Sequence, residues 1–442
     1  MRPLRTPARR VSLAAGLALA AGTVPVALAQ DFTGSVLSAR ISQSFEADSN
    51  YRLDPDSAGT SYFADTRLAL GYDNETPTQS FSLGFDTGLR ALREARREGG
   101  HESEFEVASP STARVGFSQE WADSAFAATA RYRQRRVDFD RLEIDFDEVS
   151  GLPDSINRID GDTTERRYDG SLRLDLATDA PSSYAFLLDA TRFDYSDDAD
   201  NRTPRTTVSG EATWMLELTP VMSSAITGSY LRYEAEDDED TELSVAEIDA
   251  GLNYAVTQYL TVGAGLGYAD RRRDETIGGE RVRTEDEKGP TFRASVNYAF
   301  EDITLVGSLR VSDAAPDTRI SGDLRAVYPL PRGRINGRVF QSYTGSTDGD
   351  EVRVTGANLN LVRDLTSISS VAFGLRMALQ ENQDDPTDPD VHRLDATATY
   401  TYDFSEVLSA DIGYRFRYRD EDDTARSHAV FIEIGRSFET GF

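Results

Sequence analysis

The amino-acid sequence predicts an all-β fold, a closed up-and-down antiparallel transmembrane β-barrel of about 20 strands, with 18 as the alternative. Three observations predict it. Segments of about 10 to 14 residues alternate apolar and polar side chains. The connections between these segments are alternately short and long. After the first 29 residues, no apolar run approaches the roughly 18 to 20 residues of a spanning helix. Because an open sheet edge cannot be satisfied in lipid, we expect the strands to close into a barrel.

The first 29 residues have the pattern of a secretory signal peptide. Four arginines within the first ten residues precede an apolar run from Val11 to Leu28, and Ala27-Leu28-Ala29 resembles a signal-peptidase site. We therefore expect residues 1–29 to be removed near Ala29 and residues 30–442 to form the barrel. An N-terminal membrane anchor is the alternative.

Alternation is clearest in the segment from Leu408 to Arg419. Every second residue from Leu408 to Tyr418 is apolar or aromatic, and the residues between them are serine, aspartate, glycine or arginine. One face of such a strand suits lipid and the other suits water. The apolar parity switches at Arg192-Phe193 and at Asn358-Leu359, which predicts either a β-bulge or a misread register there.

The connections differ in length between the two ends of the predicted barrel. Tight links such as Thr219 to Met222 and Ser405 to Val407 alternate with longer, acidic ones. This asymmetry is typical of outer-membrane barrels, which have short periplasmic turns and longer outer loops. We predict the outer membrane of a Gram-negative bacterium as the location. The predicted long outer loops are 48–60, 93–108, 138–163 and 274–287.

The C-terminal residues carry a resemblance to known proteins. The last strand resembles the terminal strand of bacterial outer-membrane proteins, which implies recognition by the barrel-assembly machinery; its apolar stripe is interrupted by Arg436 and Thr440. The residues on this face are Val430, Ile432, Ile434, Arg436, Phe438, Thr440 and Phe442. The whole mature chain, including the opening hairpin from Ser35 to Tyr72, resembles the outer-membrane β-barrel porin families of Gram-negative bacteria. Those families include barrels associated with exopolysaccharide secretion.

Composition excludes several classes of function. The 442 residues include 76 acidic and 47 basic side chains, 3 histidines and no cysteine, for a net charge of -29. The absence of cysteine excludes disulfides, thiolate metal sites and a lipoprotein anchor. The acidic balance argues against a nucleic-acid partner, because phosphate binding needs a basic surface. We expect no cofactor.

Catalysis is not expected either. The three histidines are His101, His392 and His428, and no known nucleophile or metal spacing accompanies them. Ser427 and His428 are adjacent on a predicted strand, so their side chains point to opposite faces and cannot form a dyad.

Charged residues on the polar parity of the predicted strands are the candidates for a pore lining. Facing rows of arginine and aspartate would create a transverse field that orients water and solutes. The alternative is a set of salt bridges that only stiffen the wall, and the two are compatible. The candidates are Arg67, Arg90, Arg131, Arg133, Arg135, Arg293, Arg310, Arg325, Arg338, Arg376, Asp411, Arg415 and Arg417.

The connection 138–163 is the longest and carries an unusual number of apolar residues for a solvated loop. General diffusion porins fold their third outer loop into the barrel, so this loop predicts a constriction facing Arg131, Arg133 and Arg135. The alternative is a strand extension above the membrane. The acidic candidates on the loop are Asp140, Glu143, Asp145, Asp147 and Glu148.

Together these features predict a channel for passive diffusion of small hydrophilic solutes that favours cations, since acidic entrances concentrate them. One alternative is an exopolysaccharide-export barrel, and another is a structural or adhesive surface barrel with a closed lumen. We do not expect a plugged, energised transporter, because the predicted strands start close to the predicted mature N-terminus. Outer-membrane lipid, lipopolysaccharide and a second copy of the chain are the further expected partners.

Overall fold

The structure is a computed structural model. It describes residues 34–96, 100–107, 110–137, 143–146, 153–157, 163–196, 203–237, 240–300, 302–313, 318–345, 351–383, 390–421 and 423–441. Within these ranges the regular structure is all β, and no helix has the length and apolar character needed to cross a membrane. The predicted signal peptide and Phe442 lie outside the described residues.

The strands follow one another as hairpins. The first twelve are β1 (Gly34–Asp48), β2 (Ser61–Thr76), β3 (Gln79–Ala95), β4 (His101–Val107), β5 (Ser111–Glu120), β6 (Ser124–Val137), β7 (Glu143–Phe146), β8 (Pro153–Asn157), β9 (Thr163–Leu176), β10 (Ser182–Tyr195), β11 (Arg205–Thr219) and β12 (Met222–Ala235). The others are β13 (Glu242–Thr257), β14 (Leu260–Ile277), β15 (Glu280–Phe300), β16 (Ile303–Ser312), β17 (Arg319–Leu330), β18 (Gly333–Gly345), β19 (Glu351–Thr366), β20 (Ser369–Asn382), β21 (Val391–Ser405), β22 (Leu408–Asp420) and β23 (Thr424–Gly441).

Twenty of these strands close into one antiparallel barrel, which confirms the predicted fold class and the strand number of 20 rather than 18. Closure is made by the first and last strands, because β1 pairs with β2 on one edge and with β23 on the other. The remaining three strands are additions at the end of the barrel that has the longer connections, called the outer end below. β4 pairs with the outer end of β3, and β7 pairs only with β8.

Two of the predicted outer loops are largely strand. In 93–108, β4 pairs with β3 from Ala95↔His101 to Leu89↔Val107. In 274–287, β14 and β15 stay paired up to Ile277↔Glu280. The latter hairpin turns on Gly278 (φ 64°) and Gly279 (φ 85°), a two-residue turn that needs positive φ at both positions. Its charged residues therefore lie on a projecting β-ribbon.

Of the two alternatives predicted at Arg192-Phe193 and Asn358-Leu359, the bulge is wrong, because the ladders run through both positions without a shift. The apolar parity switches for another reason. Towards the outer end, the strands bury apolar side chains on the inner face, such as Phe193 and Val354, and expose charged ones such as Arg192 on the outer face. This reversal fits strand ends that rise above lipid, where the outside meets water and the inside is packed.

Candidate functional site: the inner wall and the outer mouth

The two faces of the barrel wall differ in chemistry. Apolar side chains such as Ile41, Leu68 and Phe85 are exposed on one face of successive strands. The opposite face carries arginine and carboxylate residues. Contacts such as Arg415 on β22 to Glu46 on β1 pass over β23 on this polar face. The polar face is the inner one, because the outer face of a membrane-spanning barrel carries an apolar band.

The strand registers put all thirteen predicted pore-lining residues on this inner face. That they line a conducting pore stays a prediction. The same face carries arginines that the prediction missed, among them Arg114, Arg167 and Arg205. Counting every second residue from a lipid-facing neighbour would have found them.

Most of the predicted arginines are held in ion pairs along the wall. Arg90 donates two hydrogen bonds to Asp65, at 2.7 Å from Nε and 2.8 Å from Nη2. Arg325 and Arg338 share Asp323, and Arg310 reaches Glu247. Further pairs join Arg67 to Asp86 (3.1 Å), Arg293 to Asp249 (3.2 Å), Arg415 to Glu46 (3.0 Å) and Arg417 to Asp48 (2.7 Å). The bidentate, partly buried pair of Arg90 with Asp65 fixes both side chains in place.

The arginine row on β6 is paired with the neighbouring strand β9. Arg131 contacts Asp169 at 3.0 Å, and Arg135 contacts Glu165 at 2.7 Å with Arg133 at 4.0 Å from the same carboxylate. Glu165 is only 1% exposed, and these guanidinium groups surround its buried carboxylate. The described partners of this row are therefore on the wall itself.

The lumen is packed towards the outer end and open towards the other. Phe63, Phe340 and Val354 point inward near the outer end and are buried. Val306 and Val327 also point inward, nearer the short turns, but remain 44% and 40% exposed. The free space inside the barrel thus narrows towards the outer mouth.

The first outer loop, residues 49–60, folds against the barrel seam. Asp48 is fully buried and accepts hydrogen bonds from Arg417 (2.7 Å), Ser427 (2.5 Å) and the backbone N–H of Asn50 (2.9 Å). Arg417 also donates to the carbonyl oxygen of Tyr51 at 3.0 Å. We call Asp48, Arg417 and Ser427 the seam lock, because they tie β1 to β22 and β23. No pattern in the sequence predicted this contact.

Ser427 and His428 point to opposite faces, as the sequence predicts. Ser427 faces inward in the seam lock, whereas the Nδ1 atom of His428 lies 2.6 Å from the Tyr414 hydroxyl oxygen on the apolar face. Among the described residues, no group of three or more His, Asp or Glu side chains is arranged to hold a metal ion.

The connection between β6 and β9 sends a hairpin to the far side of the barrel. Cα atoms of β8 approach those of β18 within 8 Å. Strand β18 is nine strands away from β9 around the wall. Of the predicted constriction residues, Glu143 and Asp145 lie on β7, whereas Asp140, Asp147 and Glu148 lie outside the described residues.

A second surface connection ties β4 to the end of β6. Arg136 donates a hydrogen bond to Glu104 at 2.8 Å and another to Glu106 at 2.5 Å. The hydrogen bond from Arg136 holds the pKa of the Glu104 carboxyl below its usual range, against a smaller opposing effect of burial.

Solved structures include the same kind of fold. The FrpB iron transporter from Neisseria meningitidis (F3-3 variant) matches with a TM-score of 0.52 at 9% identity, covering 91% of this chain and 81% of that chain. The copper transporter OprC gives a TM-score of 0.50 at 10% identity, covering 91% and 80%. The chain has the fold of an outer-membrane β-barrel transporter. At this level of identity the likeness concerns the fold alone.

No protein-family model matches the chain. No curated protein matches it either. The predicted membership of a porin family is therefore supported only at the coarser level of an outer-membrane β-barrel.

Proposed function

We propose that this protein is an outer-membrane channel through which small hydrophilic solutes diffuse passively, with a preference for cations. The observation that carries the proposal is the combination of a wide, closed barrel, a charged inner wall and a hairpin across its outer mouth. In this arrangement the barrel encloses a water-filled path, and the hairpin limits the width of that path at the outer mouth.

The width follows from the strand number. Twenty strands spaced about 4.8 Å apart and tilted by about 40° give a backbone diameter of about 40 Å. Side chains on the inner wall cannot fill such a lumen by themselves, so wide barrels leave a channel unless a segment folds inward. The hairpin β7–β8 and the folded first loop are such segments.

The reach of the hairpin favours a path across the mouth. Because the strands are tilted by about 40°, neighbouring strands are about 6 Å apart along the rim, so the nine spacings from β9 to β18 amount to about 55 Å. Pro153 at the start of β8 is ten residues before Thr163, and ten residues span at most about 35 Å. Since β8 nevertheless lies within 8 Å of β18, the hairpin takes the shorter path over the opening.

The preference for cations comes from carboxylates that are not paired with the inner-wall arginines. The inner-wall arginines are largely matched by carboxylates, as in the pairs Arg90–Asp65 and Arg293–Asp249. The chain as a whole has a net charge of -29, so the acidic excess lies outside these pairs. An acidic entrance raises the local concentration of cations and lowers that of anions.

The test is single-channel recording of detergent-folded protein in planar bilayers, with the reversal potential measured under a KCl gradient. We expect discrete openings with cation selectivity. Replacing residues 143–157 by two glycines should raise the conductance about twofold or more, because conductance grows with the open cross-section. Shortening the exposed β14–β15 tip at 276–281 is the matched control, and it should leave the conductance unchanged.

Other outcomes would point to the alternatives. No conductance from folded barrels, before and after removal of the hairpin, would refute the channel and favour a closed surface barrel. Conductance that appears only after removal of the hairpin would favour a gated exporter of polysaccharide. We further propose insertion by the barrel-assembly machinery through the strand ending at Phe442, contact with lipopolysaccharide, and no catalytic activity.

A further inference from the structure

Six polar side chains form a patch on the inner wall at β19, β20 and β21, which we call the β20 tray. Its centre is Arg376, which lies directly between Asn358 on β19 and Asp395 on β21 in the strand register. One step towards the short turns, Gly374 lies between Asn360 and Thr397. Thr399 completes the patch one further step in that direction. All six side chains therefore face the lumen.

The polar groups of the tray are not used by the protein. Within the described part of the chain, none of the six side chains makes a hydrogen bond or an ion pair. Arg376 and Asp395 are register neighbours, yet they do not form a salt bridge. Every other arginine predicted to line the pore has a carboxylate partner. Arg376 thus presents its donor fork to the lumen.

Small residues leave space around this fork. Gly374 lies next to Arg376 on the inner face, and a Cβ atom there would meet only the Asn360 Oδ1 at 3.4 Å. Ala378 lies on the other side of Arg376 along β20. The guanidinium group is exposed rather than covered by neighbours. The guanidinium group is therefore open to solutes in the lumen.

An anionic group suits the centre of the tray, where the guanidinium fork of Arg376 has no carboxylate partner among the described residues. Arg338 and Arg417 lie in the same row on either side of the tray. Their carboxylate partners, Asp323 on β17 and Asp48 on β1, are on strands beyond the tray. The guanidinium fork of Arg376 matches a carboxylate in two parallel hydrogen bonds. The amides, hydroxyls and Asp395 around it can exchange hydrogen bonds with hydroxyl groups.

We propose that the β20 tray is a binding site for small solutes that carry both a carboxylate and several hydroxyl groups, such as sugar acids. Arg376 binds the carboxylate, and Asn358, Asn360 and Asp395 bind the hydroxyls. This inference rests on the proposed channel function, since the site faces the lumen. The acidic mouth does not prevent entry of such anions, because its field is screened over about 8 Å in physiological salt.

The experiment is block of single-channel current by D-glucuronate, with D-glucose and acetate as comparators that lack the carboxylate or the hydroxyls. We expect glucuronate to block at lower concentration than either comparator. Arg376→Gln should weaken this block about tenfold, because a charged hydrogen-bond partner is lost. Asn360→Ala should reduce the advantage of glucuronate over acetate. Arg114→Gln is the matched control, since Arg114 is also an exposed inward-facing arginine, and should change the block by less than about twofold.

The results separate failure of the site from failure of the channel. Equal loss of block in Arg376→Gln and Arg114→Gln would overturn the tray, because general electrostatics would then suffice. The tray would also be overturned if the wild-type channel conducts and glucose, acetate and glucuronate block its current at the same concentration. If the folded protein does not conduct, calorimetric titration with glucuronate tests the site alone. Heat of binding that Arg376→Gln removes would support the tray, and its absence in the wild type would refute it.

Discussion

The seam lock should contribute strongly to the stability of the folded barrel. Asp48 has no solvent exposure, and the side chain of Arg417 is 10% exposed. Substitution Asp48→Ala removes the carboxylate and leaves the guanidinium group buried next to an uncharged residue. Such a change also removes the acceptor of the Ser427 hydroxyl and of the Asn50 N–H.

The magnitude can be estimated from the contacts. Removing one partner of a buried ion pair costs about 3 to 5 kcal/mol, because the remaining charge is not compensated. Arg417 keeps its hydrogen bond to the carbonyl oxygen of Tyr51, which places the expected loss near the lower limit, about 3 kcal/mol. The exposed pair Arg173–Asp175 is the control, since such pairs are worth about 0 to 1 kcal/mol.

Urea unfolding of the lipid-folded protein, followed by the fluorescence of Trp121 and Trp214, measures both variants. Asp48→Ala should lower the free energy of unfolding by about 3 kcal/mol, and Asp175→Ala by less than about 1 kcal/mol. The second substitution Arg417→Met in the Asp48→Ala background should recover part of the loss. Equal effects of the two single variants would refute the argument from burial.

Two further predictions concern the outer surface and the inner wall. Because Arg136 lowers the pKa of Glu104, their contact stabilises the fold at neutral pH and loses its effect as the pH falls through the lowered pKa. The difference in urea midpoint between wild type and Arg136→Gln should therefore shrink on acidification, and a constant difference would contradict this. Gly413→Ala should cost about 1 to 3 kcal/mol in the same assay, because its Cβ would lie 2.1 Å from Phe431 Cζ. Gly228→Ala, with open space at its Cβ, should have little effect; similar losses in both would count against a clash.

The sequence predicted strand positions and faces well where lipid lies on one side. In Leu408–Arg419, lipid accepts only apolar side chains and the lumen accepts polar ones, so alternation reports the two faces directly. Where the strands rise above lipid, this rule no longer holds. The parity switch at Arg192-Phe193 therefore left a bulge and a misread register as alternatives, and the ribbon around Gly278 and Gly279 was predicted as a loop. The alternation of apolar and polar residues in these segments does not show whether lipid or water lies outside the strand.

The sequence by itself determined the barrel, its closure and the inward direction of Arg67, Arg376 and Arg417, since a period of two residues fixes which face each side chain takes. Only the tertiary structure decided which charges meet. Asp48 and Arg417 are 369 residues apart in the chain, and they meet because β1 closes against β23. Arg376 and Asp395 are register neighbours but stay unpaired. Register sets which residues are adjacent, whereas the curvature of the closed wall and the packing of side chains set which of them make contact.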